Sequence, residues 1–443
     1  MVMDVLLVKY HGQEVGAVSF DENTGFGSFE YASSFLKIGI ELAPLRMPLS
    51  NKIYSFPTLD YEAFKGLPGL LADSLPDDFG NAVLNSWIIA QGRSVKDISP
   101  LDRLKYTGKR GIGALTYSPA TKLKKLNAST ELQLASLVKV AQEMLDEREQ
   151  FQVELAKAGQ EDSEAMRALL SVGMSAGGAR PKAVLAFDED FTTVRSGQVD
   201  VPEGFTHYLL KFDGVNQYQS NKETFGDPLG YGAMEYVYYL MAQSCGIEMM
   251  PSRLLEEGKR RHFITQRFDR VGNHRIHTQT LNGIAHVSYK QAGVYSYEEL
   301  FSVARELNLS ATEAMQLFKR MVFNIVARNH DDHSKNFSFM LQDQTAGKHK
   351  WKLAPAYDVA YSYKPGSKWV NSHWMLLNGK RDHFSREDFY QFEKISSLFT
   401  RRKINKIIDE VIQAVSQWQP LARENDVPSA LIKDIQLHLR LSI

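Results

Sequence analysis

The sequence predicts an α+β fold, on three observations. Short apolar runs separated by turn residues fill residues 4–31, strand-like and helical segments mix between 171 and 270, and helical periodicity dominates beyond 295. Strands gathered early and helices gathered late are the pattern of an α+β chain.

In order along the chain, "DVLLVKYHGQEVGAVSFDENTGFGSFEY" alternates strand-like runs with "YHGQ" and "DENTGFG", whose turn chemistry predicts a small antiparallel sheet. A helix is expected to start near Pro76 in "LADSLPDDFGNAVLNSWIIAQGR", with Asp77 and Asp78 in its first turn, where carboxylates favour the helix dipole. The glycine-rich "YTGKRGIGALTYSP" follows. "STELQLASLVKVAQEMLDEREQ" is an amphipathic helix, and a domain boundary is placed near 125. "KAVLAFDED", "FTTVRS" and "THYLLKFD" read as strands, "AMEYVYYLMAQSCG" as a helix, and "RHFITQRFDR" as a further strand. Two helices follow, "YSYEELFSVARELN" and "SATEAMQLFKRMVFNIVARN"; the second opens with Ser310 and Glu313 at capping-box spacing. The expected organisation is an N-terminal subdomain over 1–125, a mixed subdomain with a glycine-rich loop over 126–270, and a helical lobe over 271–443.

Composition narrows the function classes. The 443 residues are 43% hydrophobic and 23% charged, and 52 basic residues balance 52 acidic ones. That balance gives no support to a broad nucleic-acid or membrane surface. The single cysteine, Cys245, excludes an intramolecular disulfide framework and is expected to be a buried, inert thiol. No apolar run reaches the roughly 20 residues that span a bilayer, and Asp4 precedes an apolar run too short for a signal peptide. A soluble cytoplasmic protein is expected.

The chemistry gathers at "NHDDHSKN", just past the last of these helices. Asp331 and Asn336 stand at the interval of a protein-kinase catalytic loop, in which an aspartate accepts the substrate hydroxyl proton and an asparagine holds a metal ion. "FSFML" and "KWKLAP" flank a turn, so a hairpin should return "AYDVAY" near Asn336 and make Asp358 a second metal ligand. Oxygen ligands of this kind suit Mg²⁺. Upstream, Gly173, Gly177 and Gly178 precede a strand in "SVGMSAGGARPKAVLAF" and lack the Lys-Ser/Thr pair of a P-loop. Lys211 ends a strand and Glu235 opens a helix, in the order of the kinase lysine–glutamate pair. "GKRGIGAL" reads as a structural turn. Asp332 and Asn336 could also cap backbone groups, and His330 with His333 could serve an HD-type metal phosphohydrolase.

Together with these residues, "LADSLPDDFG", "LDRLKYTGKRGIGAL", "SAGGARPKA", "QRFDR", "NHDDHSKNFSF" and "PAYD" make the chain resemble, over nearly its full length, the bacterial HipA-type serine/threonine kinases, toxins of toxin–antitoxin pairs. The resemblance implies a two-lobed, kinase-like fold with an extra N-terminal α/β subdomain and a mostly helical C-terminal lobe. It implies Asp331 as catalytic base, Asn336 and Asp358 on Mg²⁺, and Ser175 as the autophosphorylated loop serine. It further implies ATP contacts from Ala176, Gly177, Gly178, Ala179, Arg180, Lys182, Lys211, Glu235, Gln266, Phe268, His333 and Lys335. The implied partners are a helix-turn-helix antitoxin, DNA only through that antitoxin, and a protein substrate such as glutamyl-tRNA synthetase. Arg180 and Pro181 stand where the best-known member has Gln and Glu, which bears on loop dynamics and target choice. A catalytically silent member that binds an antitoxin as corepressor is the other reading of the same resemblance.

Overall fold

The computed structural model describes residues 4–90, 92–121, 131–146, 180–216, 226–227, 229–344 and 348–443. They form two compact units: Met1–Ala43, Met47–Gly232 and Arg253–Thr278 in the first, and Pro44–Arg46, Ala233–Ser252 and Gln279–Ile443 in the second. Strand residues outnumber helical ones in the described part of the first unit, and helical residues outnumber strand ones in the second, so the fold is α+β.

In the first unit, β1 (Val5–Tyr10), β2 (Gln13–Asp21) and β3 (Phe26–Tyr31) form the predicted antiparallel meander. A fourth strand, β4 (Leu115–Ser118), pairs with the outer side of β1. It is only four residues long, too short to leave a period in the sequence. The helix expected near Pro76 is α1 (Asp78–Ala90). Asp77 sits just outside it as the cap, its Oδ1 accepting from Gly80 N at 2.6 Å.

A five-stranded sheet follows, in the order β8 (Ser252–Glu257), β9 (Arg260–Gln266), β7 (Thr206–Lys211), β5 (Lys182–Phe187), β6 (Val194–Ser196). Alternate side chains Ala183, Leu185 and Phe187 of β5 join Leu210 and Ile264 in one core with Phe79, Val83 and Leu84 of α1 and Leu137, Val138 and Ala141 of α2 (Leu134–Asp146). Each of the larger side chains stabilises the fold by roughly 1.5–3 kcal/mol. The strand expected over "FTTVRS" starts only at Val194, because Asp188 Oδ1 captures Thr192 N at 2.8 Å and Thr193 N at 3.1 Å and closes a turn there.

"GKRGIGAL" is a structural turn, held by an arginine cluster. Gly113 N donates to Asp269 Oδ2 at 2.8 Å. Arg267 grips Asp269 through Nε and Nη2 at 2.8 and 2.7 Å, and Arg270 Nη1 adds a third contact at 2.7 Å. Arg270 and Arg275 also donate to the carbonyls of Gly111 and Gly113 at 2.9–3.2 Å. Gly113 has φ +72° and lies against Thr278, so a side chain there would be strained. Burial pushes the Asp269 carboxyl up, but Arg267 and Arg270 together hold it well below the ordinary range.

Burial also pushes His207, His262 and His277 of this unit down to about 4. Histidine in the unfolded chain titrates near ~6.5, so below that pH the unfolded state binds protons that these buried rings refuse. Stability is therefore complete above about pH 6.5 and falls as pH drops towards 4. Urea unfolding should be easier at pH 5 than at pH 7, each histidine removing up to ~2 kcal/mol. Equal midpoints at the two pH values would refute a neutral burial of these rings.

In the second unit, α5 (Ala311–Val326) begins with the expected capping box: Glu313 N donates to Ser310 Oγ at 3.3 Å and Ser310 N to Glu313 Oε2 at 2.7 Å. Leu317, Phe318, Met321, Val322 and Phe323 of this helix are all buried, and it packs along α6 (Arg401–Ser416). Phe318 stacks on Phe399 at 4.9 Å, and Phe301 of α4 (Tyr297–Glu306) meets Phe392 at 4.7 Å. From α3 (Tyr231–Ser244), the Tyr238 hydroxyl donates to Ala327 O at 2.7 Å and so satisfies a carbonyl at the exit of α5. β10 (His277–Thr280) borders the hairpin of β11 (Ser338–Gln344) and β12 (Lys348–Leu353).

Candidate functional site

At the end of α5 the chain turns sharply, with Arg328 in the left-handed region at φ 57°. The polar run that follows is a loop closed by one 3₁₀ turn, Ser334–Asn336. Ser334 Oγ donates to Val287 O at 2.7 Å, and Asn336 N donates to His333 O at 2.9 Å. The Asn336 amide nitrogen donates to the Asp331 carbonyl at 2.7 Å, which turns its amide oxygen the other way. The Asp331 side chain is 45% exposed, and its Oδ1 lies 3.6 Å from His333 Nε2. Lys335 Nζ lies 4.2 Å over the Tyr289 ring, an attraction between cation and π-face.

The hairpin returns the chain as its turn chemistry predicts. Tyr357 OH donates to Lys335 O at 2.6 Å, placing the "AYDVAY" segment against the 3₁₀ turn. Asp358 is held at φ 53°, a conformation that Asp and Asn tolerate better than bulkier residues. Asn329 Nδ2 donates to its carbonyl at 3.3 Å. One cleft is lined by Asn324, Asn329, Asn336, Phe337, Tyr357 and Asp358. The structure thus joins Asp331 to Asn336, and Asn336 to the cleft that Asp358 lines.

The neighbouring carboxylate is wholly different. Asp332 is buried and accepts four hydrogen bonds: Tyr297 OH at 2.7 Å, His373 Nδ1 at 2.9 Å, Trp374 N at 2.7 Å and Met375 N at 3.4 Å. Burial, then Asp332 beside it, push the Tyr297 hydroxyl well above its ordinary value. His330 is fully buried with its ring 4.1 Å from that of His373, and burial followed by the positive neighbours pushes its pKa far down. His333 instead packs edge-on to Tyr289 and Trp374. Sequence spacing gave no sign that Asp332, His373 and Tyr297 form one buried network, since the three come from separate segments.

The remaining expected residues belong to other segments of the chain. Ser175, Ala176, Gly177, Gly178 and Ala179, with Gly173, fall outside the described residues. In the first unit, the Arg180 guanidinium lies 5.9 Å over the Tyr231 ring. Lys182 opens β5 and Lys211 ends β7; the antiparallel register sets them directly opposite each other, and both are buried. Lys182 Nζ lies 3.5 Å from Asp77 Oδ2, a pairing that spacing could not reveal across so much intervening chain. Gln266 ends β9 and Phe268 follows it, both half-buried. Glu235 is buried on α3 in the second unit. Cys245 is buried and its thiol pushed up to about 11 by burial, so it is the inert thiol expected.

The residues at the cleft fit Mg²⁺, because Asp358 and the Asn336 amide offer hard oxygen donors and little else. Among the described residues, no group of three or more His, Cys, Asp or Glu is placed to hold a metal ion. No helix among them is long and apolar enough to cross a membrane.

Two family models cover most of the chain: "HipA N-terminal domain" over residues 6–118 and "HipA-like C-terminal domain" over 174–418. A "Putative kinase Y4mE" of Sinorhizobium fredii is 25% identical over 191 residues, 40% of this chain and 44% of that protein. This chain therefore matches less than half of that relative's length. A "Putative kinase" of Haemophilus influenzae is 23% identical over 250 residues, 49% of this chain and 71% of that one. Among solved structures, the HipA of Shewanella oneidensis MR-1, in complex with HipB and its operator DNA, superposes with a TM-score of 0.63 at 15% identity. That match takes in 98% of this chain and 95% of the other, which makes the fold common to both. With the C-terminal model alone matching more than half of its residues, this chain belongs to the HipA-like family.

Proposed function

We propose that this chain is an ATP- and Mg²⁺-dependent protein serine/threonine kinase, the toxin of a toxin–antitoxin pair. The observation that carries this reading is the junction of Asp331, Asn336 and Asp358: an exposed carboxylate hydrogen-bonded through its own backbone to a residue of the cleft that the second carboxylate lines. Family membership and the names of the two kinase relatives support it.

In this reading an Asp331 carboxylate oxygen accepts the proton of the substrate serine as the hydroxyl oxygen attacks the γ-phosphorus, and the bond from that phosphorus to the β,γ-bridging oxygen breaks with ADP as the leaving group. Asn336 and Asp358 would hold Mg²⁺, which when bound neutralises phosphate charge. Lys182 and Lys211 bind phosphate oxygens, with Arg180 and the 176–179 loop beside them in sequence. Gln266 and Phe268 meet the adenine, Glu235 is the glutamate of the lysine–glutamate pair that positions ATP phosphates, and His333 and Lys335 take part in ATP binding. Catalysis is then mostly positioning and charge stabilisation. The proposed substrate is a protein, an aminoacyl-tRNA synthetase such as glutamyl-tRNA synthetase. The proposed partner is a helix-turn-helix antitoxin that carries the kinase to DNA in the cytoplasm, as supported by the HipB and operator DNA bound to the Shewanella protein.

The test is intact mass after incubation with Mg²⁺-ATP, starting from phosphatase-treated protein. The expected result is a gain of one phosphate, mapped to Ser175 and absent from Ser175→Ala, which keeps transfer to other proteins. A wild-type chain that binds no ATP and gains no phosphate would overturn the kinase reading; a phosphate mapped to another residue would overturn the role of Ser175.

A further inference from the structure

We propose that Asp77, contributed by the N-terminal family domain, is the positioning residue for the phosphate-binding lysine Lys182. The inference rests on the nucleotide-binding reading above and adds to it a role for residues 6–118.

Directly opposed residues of an antiparallel pair point to the same face of the sheet with Cβ atoms ~4.5–5.5 Å apart. Lys182 and Lys211 are such a pair, 4% and 5% exposed. Two buried ammonium groups carried by opposed positions of one sheet face each need compensation. Asp77 supplies it to Lys182: its side chain is 3% exposed, and Oδ2 lies 3.5 Å from Nζ.

The second oxygen explains why this carboxylate can position as well as neutralise. Oδ1 is held by Gly80 N at 2.6 Å, and Asn81 N donates to the Asp77 carbonyl at 2.7 Å. Both anchor the start of α1, whose Phe79 and Val83 are set in the core. The carboxylate is thus fixed to a packed helix. A cap needs one oxygen and no charge, since asparagine and serine cap as well as aspartate. The charge aimed at Lys182 exceeds what the cap requires. Lysine has a flexible stem; an ion pair with a carboxylate fixed to a packed helix limits where its ammonium can sit.

The experiment uses the full chain. Asp77→Asn keeps the cap oxygen and removes the charge. Its rate of phosphate uptake at saturating Mg²⁺-ATP should fall roughly 10- to 100-fold, while calorimetric ATP affinity changes little. The thermal midpoint should drop, because the buried Lys182 ammonium loses its partner, with the chain still folded at the assay temperature. In a Lys182→Met background, adding Asp77→Asn should lower the rate no further, because the two residues act as one unit. A wild-type rate in Asp77→Asn, or a full additional loss on top of Lys182→Met, overturns the proposal. Should Asp77→Asn fail to fold, Asp77→Glu retains the charge but displaces it by one methylene; a reduced rate supports positioning, and an unchanged rate overturns it. If the wild type itself neither binds ATP nor gains phosphate, the kinase reading has failed; if the wild type reacts and the Asp77 variants match it, only the present inference has.

Discussion

Asp331→Asn is expected to reduce phosphoryl transfer by about 10²–10⁴-fold, the range that a general base contributes. The amide matches the carboxylate in shape but cannot take up the proton of the attacking hydroxyl. The link to Asn336 should persist, because it uses the Asp331 main-chain carbonyl and not the side chain. With the side chain 45% exposed, stability should change by less than ~0.5 kcal/mol. Single-turnover phosphate incorporation and a thermal melt test both halves. A variant that transfers phosphate at the wild-type rate would remove Asp331 from the chemistry.

Asp332→Ala, one residue along, should do the reverse damage. It strips the acceptor from Tyr297 OH, His373 Nδ1 and the Trp374 and Met375 amides, all in the interior. Removing one partner of such a buried charged network costs about 3–5 kcal/mol, a large share of the 5–15 kcal/mol that typically holds a domain together. The urea midpoint should fall steeply. An unchanged midpoint would mean that these four hydrogen bonds do not hold the loop.

These two aspartates also mark the limit of what spacing reveals. Asp331 and Asn336 were legible because the contact between them is local and leaves a fixed interval. The same is true of the Ser310–Glu313 capping box and of the β11–β12 hairpin, whose turn residues announce the return of Asp358. Asp332 reads the same as Asp331 in one dimension. What separates them is the approach of Tyr297 and His373 from distant segments. Asp77 with Lys182, and Asp269 with the Gly113 amide, are hidden for the same reason. β4 leaves no signal because four residues carry too little period, and the pattern of "FTTVRS" runs ahead of the strand, which begins at Val194 because the Asp188 turn competes with the ladder for backbone donors.

The arginine cluster around Asp269 has an outcome for the chain when it is cut. Arg270 and Arg275 are the donors, and the acceptors are main-chain carbonyls at Gly111 and Gly113. Cleaving between the two family domains would leave one fragment with two guanidinium groups on the Asp269 carboxylate and a third, Arg275, without its carbonyl acceptors, and the other with a turn whose carbonyls have lost their donors. Neither half can complete this cluster from its own residues. Expressed as separate polypeptides, the two are expected to behave as complementing fragments that reconstitute one fold on mixing, so that a chain break near residue 125 would be tolerated only while both pieces are made together.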